Sequence, residues 1–139
     1  MIEQLTVPAQ SDKLDDVIEF VITELEAEGR DEKTLMLIEL AIEESFINIA
    51  NYAYPDDTGT VTISKERLPE DTIRIVLADS GVPYDPLQRL DPDITVPMDK
   101  KPMGGLGIYM TKKSMDKIGY EYRDGHNIRT LEKKLGQLY

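Results

Sequence analysis

The sequence predicts an α/β two-layer sandwich, with three helices packed on one face of a largely antiparallel mixed sheet. Three observations carry this. Apolar residues recur at helical spacing over residues 14–25 and again over 35–50. Two runs, Thr60–Lys65 and Thr72–Asp79, alternate as half-buried strands do. The elements then follow in the order β-α-α-β-β-loop-α-β-β, which suits a hairpin-built sheet with helices on one side.

Each element has a local reason. Residues 2–8 form a short first strand, stopped at Pro8. Ser11 offers an N-cap to a helix with Leu14, Val17, Ile18, Val21, Ile22 and Leu25 on one face, and Gly29 closes it. The second helix starts near Asp31 and runs to about Tyr54, ahead of Pro55. It is apolar on most of its circumference, so it belongs between other elements. The hairpin of Thr60–Lys65 and Thr72–Asp79 turns through Leu68-Pro-Glu-Asp71. Residues 80–104 hold five prolines and scattered acids without periodicity, the composition of a functional loop or lid. A third helix is expected from Gly105–Leu106 to about Asp116. Two last strands, near Ile118–Arg123 and Asn127–Leu135, meet at Asp124-Gly125-His126.

Composition limits the function. The chain has 139 residues, 40% hydrophobic and 31% charged, which suits one globular domain spanning 1–139. Its net charge of −11 repels nucleic-acid phosphates, and no basic run exceeds two residues, so direct nucleic-acid binding is not expected. Glu39, Glu43 and Glu44 break the longest apolar stretch, and no secretory signal opens the chain, so a cytoplasmic protein without a membrane span is expected. Absence of cysteine rules out a disulfide framework and a thiolate metal site.

Several residues carry chemistry. Glu44 and Asn48 lie four apart on the second helix, with Asn51 three further on, so all three share a stripe. A solvated stripe or a terminal cap would show the same spacing. Yet Glu44 and Asn48 sit among Ile42, Phe46, Ile47 and Ile49, where a carboxylate and an amide are costly without partners. An amide oxygen can bind a hard cation, and a carboxylate can accept a proton. Asp79-Ser80-Gly81 ends an apolar strand. It reads either as a turn or as a fixed acceptor for an exocyclic amine, with Gly81 letting a flat ring approach. Met103-Gly-Gly-Leu-Gly107 opens the third helix, where uncovered N–H groups favour an anion, though a plain loop-to-helix junction looks the same. His126, the only histidine, reads as a structural turn residue, and Thr130 alone as an ordinary strand threonine.

Taken in order, the motifs resemble the histidine-kinase-like (GHKL) ATPases, and within them the anti-sigma factor serine/threonine kinases of the RsbW type. The matching stretches are Glu43-E-S-F-I-N-I-A-N-Y-A-Y-Pro55, Ala78-D-S-G-V-P-Y-D-Pro86, Gly104-G-L-G-I-Y-Met110 and Asn127-I-R-T-Leu131. The resemblance implies a Bergerat-type ATP-binding fold with ATP or ADP and Mg²⁺ as cofactors. It makes Glu44 the general base, Asn48 the Mg²⁺ ligand and Asp79 the acceptor for the adenine amino group. Gly81 would lie beneath the ring, with Thr130 assisting through a water. Gly104, Gly105, Leu106 and Gly107 would wrap the phosphates, and residues 87–103 would be the ATP lid. Apart from the resemblance, Lys100 and Lys101 are read as lid cations able to reach the γ-phosphate.

The implied activity is phosphorylation of an anti-sigma-factor antagonist in a partner-switching system, with a sigma factor as second partner and a homodimer as a common assembly. The alternative is an ATP-dependent binding module without kinase activity. Two departures are visible. Tyr52 stands four after Asn48, where many relatives carry a basic residue, and no phosphoacceptor-histidine helix is present.

Overall fold

In the computed structural model, residues 2–55, 58–83 and 114–136 are described. Strand β1 (Glu3–Pro8) leads through a 3₁₀ turn (Ser11–Lys13) into helix α1 (Leu14–Ala27) and helix α2 (Glu32–Tyr52). Strands β2 (Thr60–Leu68), β3 (Thr72–Asp79), β4 (Lys117–Arg123) and β5 (His126–Lys134) follow. They form one five-stranded sheet in the order β1-β2-β3-β5-β4. Every pairing in it is antiparallel, so the mixed character expected of the sheet is not found among the described residues. Most of the expected third helix, and all of the lid, lie outside the described residues.

Local chemistry explains the boundaries. Ser11 does not cap α1: the chain enters through the 3₁₀ turn, and Lys13 occupies the cap position without a side-chain hydrogen bond. Gly29 does close the helix. Its φ of 77° is left-handed, and Gly29 and Arg30 donate to the Glu26 and Leu25 carbonyls, the double bond of a Schellman end. Asp31 caps α2 by accepting from the Lys33 N–H. Asp124 and Gly125 turn the β4–β5 hairpin, both at positive φ, as a two-residue loop between right-twisted strands requires.

The two faces of the sheet differ in kind. Val7, Val61, Ile63, Ile73, Ile75, Leu77 and Leu131 point to the helices and meet Val17, Ile22, Leu25, Ile38, Ile42, Phe46 and Ile49, which form the core. The opposite face is tied by polar pairs. Thr6 and Thr62 hydrogen-bond at 2.9 Å, and Arg74 bridges Glu66 and Glu132 at 3.2 Å each. Such cross-strand pairs suit a face that no described helix covers. No described helix is long and apolar enough to cross a membrane.

Candidate functional site

Strand parity decides what surrounds Asp79. On β3, residues Ile73, Ile75, Leu77 and Asp79 are all buried, so the carboxylate continues the apolar row facing the helices. In register, Asp79 stands opposite Asn127 and Leu77 opposite Arg129. Asn127 and Arg129 therefore share that covered face, and both are almost fully buried, at 0% and 4% exposed.

They converge on the carboxylate. Oδ1 accepts from the Gly81 N–H at 2.8 Å and from Asn127 Nδ2 at 2.9 Å. Oδ2 accepts from Arg129 Nη1 at 2.8 Å, making an ion pair in which both side chains are sealed from water. The hydroxyl of Tyr120 donates to Asn127 Oδ1. This fixes the amide so that Nδ2 faces Asp79 and, at 2.9 Å, the Val82 carbonyl. A buried charge is tolerable only with such partners, and these partners also hold the chain leaving β3.

The end of α2 docks onto the same segment. Val82 N–H donates to the Ala53 carbonyl at 2.9 Å. The Tyr54 hydroxyl donates to the Thr60 carbonyl and accepts from the Ser80 N–H, clasping β2 and β3 together. A Cβ at Gly81 would lie 2.2 Å from the Ala53 carbonyl oxygen. The glycine is needed for a close approach, but the approaching group is the helix end.

Further back on α2, Asn48 Nδ2 donates to Glu44 Oε1 at 3.0 Å. Asn48 is 5% exposed and Glu44 half-buried. With its amide nitrogen committed, Asn48 presents its oxygen as the remaining polar group, the atom a hard cation would use. Asn51 is exposed and belongs to the last turn. At 1.5 Å per residue, Asn48 lies about 7.5 Å and Glu44 about 13 Å along the helix axis from Ala53. The Glu44–Asn48 pair and the Asp79 cluster thus lie at successive levels beside one helix.

Thr130 does not join them. It stands opposite Val76 and Gly119, with the opposite parity to Asp79, and so faces the side of the sheet away from the described helices. Asn127 and Arg129 hold the place directly beside Asp79. Their signal was present in the alternation Asn127-x-Arg129-x-Leu131, in which the apolar Leu131 marks the inner face. Gly104, Gly105, Leu106, Gly107, Lys100 and Lys101 lie outside the described residues. Among those described, no three His, Asp or Glu side chains cluster as a metal-binding group. A cation at Asn48 would accordingly draw its other ligands from phosphate and water, as Mg²⁺ commonly does.

A helix-backed antiparallel sheet, with an acid–amide pair on its inner helix and a buried carboxylate at the adjacent strand end, defines a nucleotide-binding α/β sandwich. Comparison with family models agrees: residues 7–133 match the histidine kinase-like ATPase domain. The chain belongs to that family, whose description as an ATPase domain implies ATP or ADP as the nucleotide. Two solved structures share the fold. The RsbU and RsbW domains of Rv1364c from Mycobacterium tuberculosis superpose with a TM-score of 0.69 at 17% identity, over 99% of this chain and 33% of that one. The histidine kinase domain of the Erythrobacter litoralis EL346 blue-light activated histidine kinase gives 0.57 at 15% identity, over 93% and 62%. The chain thus spans about a third of the first and less than two thirds of the second. Comparison with curated protein sequences finds no match.

Proposed function

We propose that this chain binds Mg²⁺-ATP and transfers the terminal phosphoryl group to a serine or threonine of a small partner protein, as an anti-sigma factor acting on its antagonist. The observation that carries the reading is the Glu44–Asn48 hydrogen bond, which holds a half-buried carboxylate one helical turn from a nearly buried amide. Phosphoryl transfer asks little covalent chemistry of a protein and much positioning and charge neutralisation. Glu44 takes the proton of the attacking hydroxyl, and Asn48 Oδ1 holds the cation that offsets phosphate charge. Asp79 marks the adenine end, beside the Ala53 end of α2 that lies about 13.5 Å along the helix axis from Glu44. That separation suits one nucleotide laid along α2, with Gly104, Gly105, Leu106 and Gly107 closing over its phosphates.

The likeness to an RsbW domain supports the choice of an antagonist as partner, and the proposal takes a sigma factor as the second ligand of the switch. The net charge of −11 favours a partner with a basic docking patch.

Replacing Glu44→Gln tests the reading. ATP affinity, followed by calorimetry, should stay within about threefold, while intact-mass measurement of the antagonist should show no added phosphoryl group. Undiminished phosphorylation by the variant would remove Glu44 as base. Binding of ATP and partner without any transfer by the unaltered protein would leave a nucleotide-dependent binding module instead.

A further inference from the structure

Strand β1 closes one side of the sheet and has no neighbour beyond it among the described residues. One bond shows which of its backbone groups face outward. The Ala9 N–H donates to the Gly59 carbonyl at 2.9 Å, extending the Pro8–Thr60 register by one residue. Odd-numbered residues of β1 therefore turn their backbone groups to β2, and Gln4 and Thr6 turn theirs to the open edge. The side chains of Gln4 and Thr6 bond to Ser64 and Thr62 on the sheet face away from the helices, so they do not obstruct that edge. Pro8 has no N–H, and its carbonyl accepts from the Gln10 N–H, so the edge ends there. Two N–H and two C=O groups remain in a row.

An apolar groove of about 660 Å³ runs beside this edge, between β1 and α1. Leu5 and Val7 face it from the strand and Phe20 from the helix, with Asp16, Glu19 and Glu24 along the helix rim. Lys65 is the one cation lining it among the described residues. Its ammonium is already matched by Glu3 at 3.2 Å, Glu24 at 3.4 Å and the Phe20 carbonyl at 2.7 Å. Asp16 and Glu19 are exposed and pair with no base among the described residues.

We infer that this edge and groove dock an extended segment of a partner protein as a sixth, antiparallel strand. A strand laid about 4.8 Å from β1 carries every second side chain on the same face as Leu5 and Val7. Apolar residues at those positions fill the groove, and basic residues flanking them meet Asp16 and Glu19. A second copy of this chain matches the backbone but not the rim. It would bring a further net charge of −11, with its own Asp16 and Glu19, to the same seam. The inference goes beyond the phosphoryl-transfer reading and stands without it.

The probe is the labelled peptide RTVTITVTR, titrated by fluorescence anisotropy against the unaltered protein without nucleotide, so either outcome leaves the phosphoryl-transfer reading untouched. It should bind, and ETVTITVTE should bind about tenfold more weakly. Reversing both rim charges with Asp16→Lys and Glu19→Lys should invert that preference, since two lost attractions become two repulsions. N-methylation of one alternate set of peptide nitrogens should cost about tenfold, and of the other set less than about threefold, because only one set faces β1. Equal binding of the two charge forms, equal effects of the two methylated sets, or no binding up to about 1 mM would each overturn the inference. Sedimentation tests the competing occupant: dimers of the unaltered protein that the peptide dissociates would assign the edge to a second copy and overturn it as well.

Discussion

Gly81→Ala separates two reasons for a glycine after Asp79. If the position exists to admit a flat ring, the added methyl group should weaken ATP binding and leave the free protein as stable as before. The structure gives the opposite expectation. The new Cβ would lie 2.2 Å from the Ala53 carbonyl oxygen and 2.6 Å from its carbonyl carbon, both backbone atoms, where real contacts stay beyond 3.0 Å. The end of α2 must therefore move from the segment after β3. Overpacking of this kind costs about 1–3 kcal/mol. Loss of the Val82 N–H to Ala53 carbonyl bond adds about 1 kcal/mol, for a total of about 2–4 kcal/mol. A domain of 139 residues unfolds with an entropy of about 0.3 kcal/mol/K, so Tm should fall by about 7–13 °C. Gly125→Ala is the internal control. Its φ is 79° and nothing lies within 4 Å of the added Cβ, so only backbone strain of about 1–2 kcal/mol is expected. Thermal unfolding followed by circular dichroism, without nucleotide, reads both. A Gly81→Ala variant that melts with the parent and loses only ATP affinity would refute the reasoning.

Further outcomes follow from strand parity and from charge. Thr130→Val alters the uncovered face of the sheet, so ATP affinity should be unchanged and stability should move by about 0.5 kcal/mol or less; a tenfold loss of affinity on titration would show that the threonine reaches the nucleotide after all. Glu28 joins helix α1 to Arg67 at 2.6 Å and Arg30 at 2.9 Å. Burial raises the Glu28 carboxyl, but hydrogen bonds from the two arginines outweigh it and hold the group below its ordinary 4.5. A carboxyl lowered in the folded state contributes stability above its unfolded value and loses it as pH falls through the folded one. Urea unfolding should therefore find Glu28→Gln less stable than the parent at neutral pH, with the difference closing below about pH 4.5. A difference that stays constant down to pH 3 would mean that the carboxylate charge is not what the arginines stabilise.

Much of the architecture was legible from periodicity alone. The β3 limits of Thr72 and Asp79 coincide with those expected, and α2 ends two residues short of the expected Tyr54. Gly29 and Asp124-Gly125 acted where left-handed backbone was needed. Ser11 misled because a capping residue only offers a hydrogen bond. The 3₁₀ turn places α1's first turn two residues later, where Lys13 stands. The pairing of Glu44 with Asn48 was also legible, since residues four apart on a helix meet whatever surrounds them.

Thr130 and Gly81 show where reading along the chain runs out. A strand's alternation says which residues share a face, but only pairing with β3 puts Asn127 and Arg129 on the same face as Asp79 and Thr130 on the other. Likewise, a glycine after a strand announces that something comes close without saying what. The helix end that does so arrives from nearly thirty residues upstream, brought there by the core packing of α2 on the sheet. Sequence by itself determined the described elements, their order and the acid–amide pair, because those follow from contacts between near neighbours. Tertiary structure alone decided what Asp79 binds, because a buried charge takes its partners from whichever strands are laid beside it.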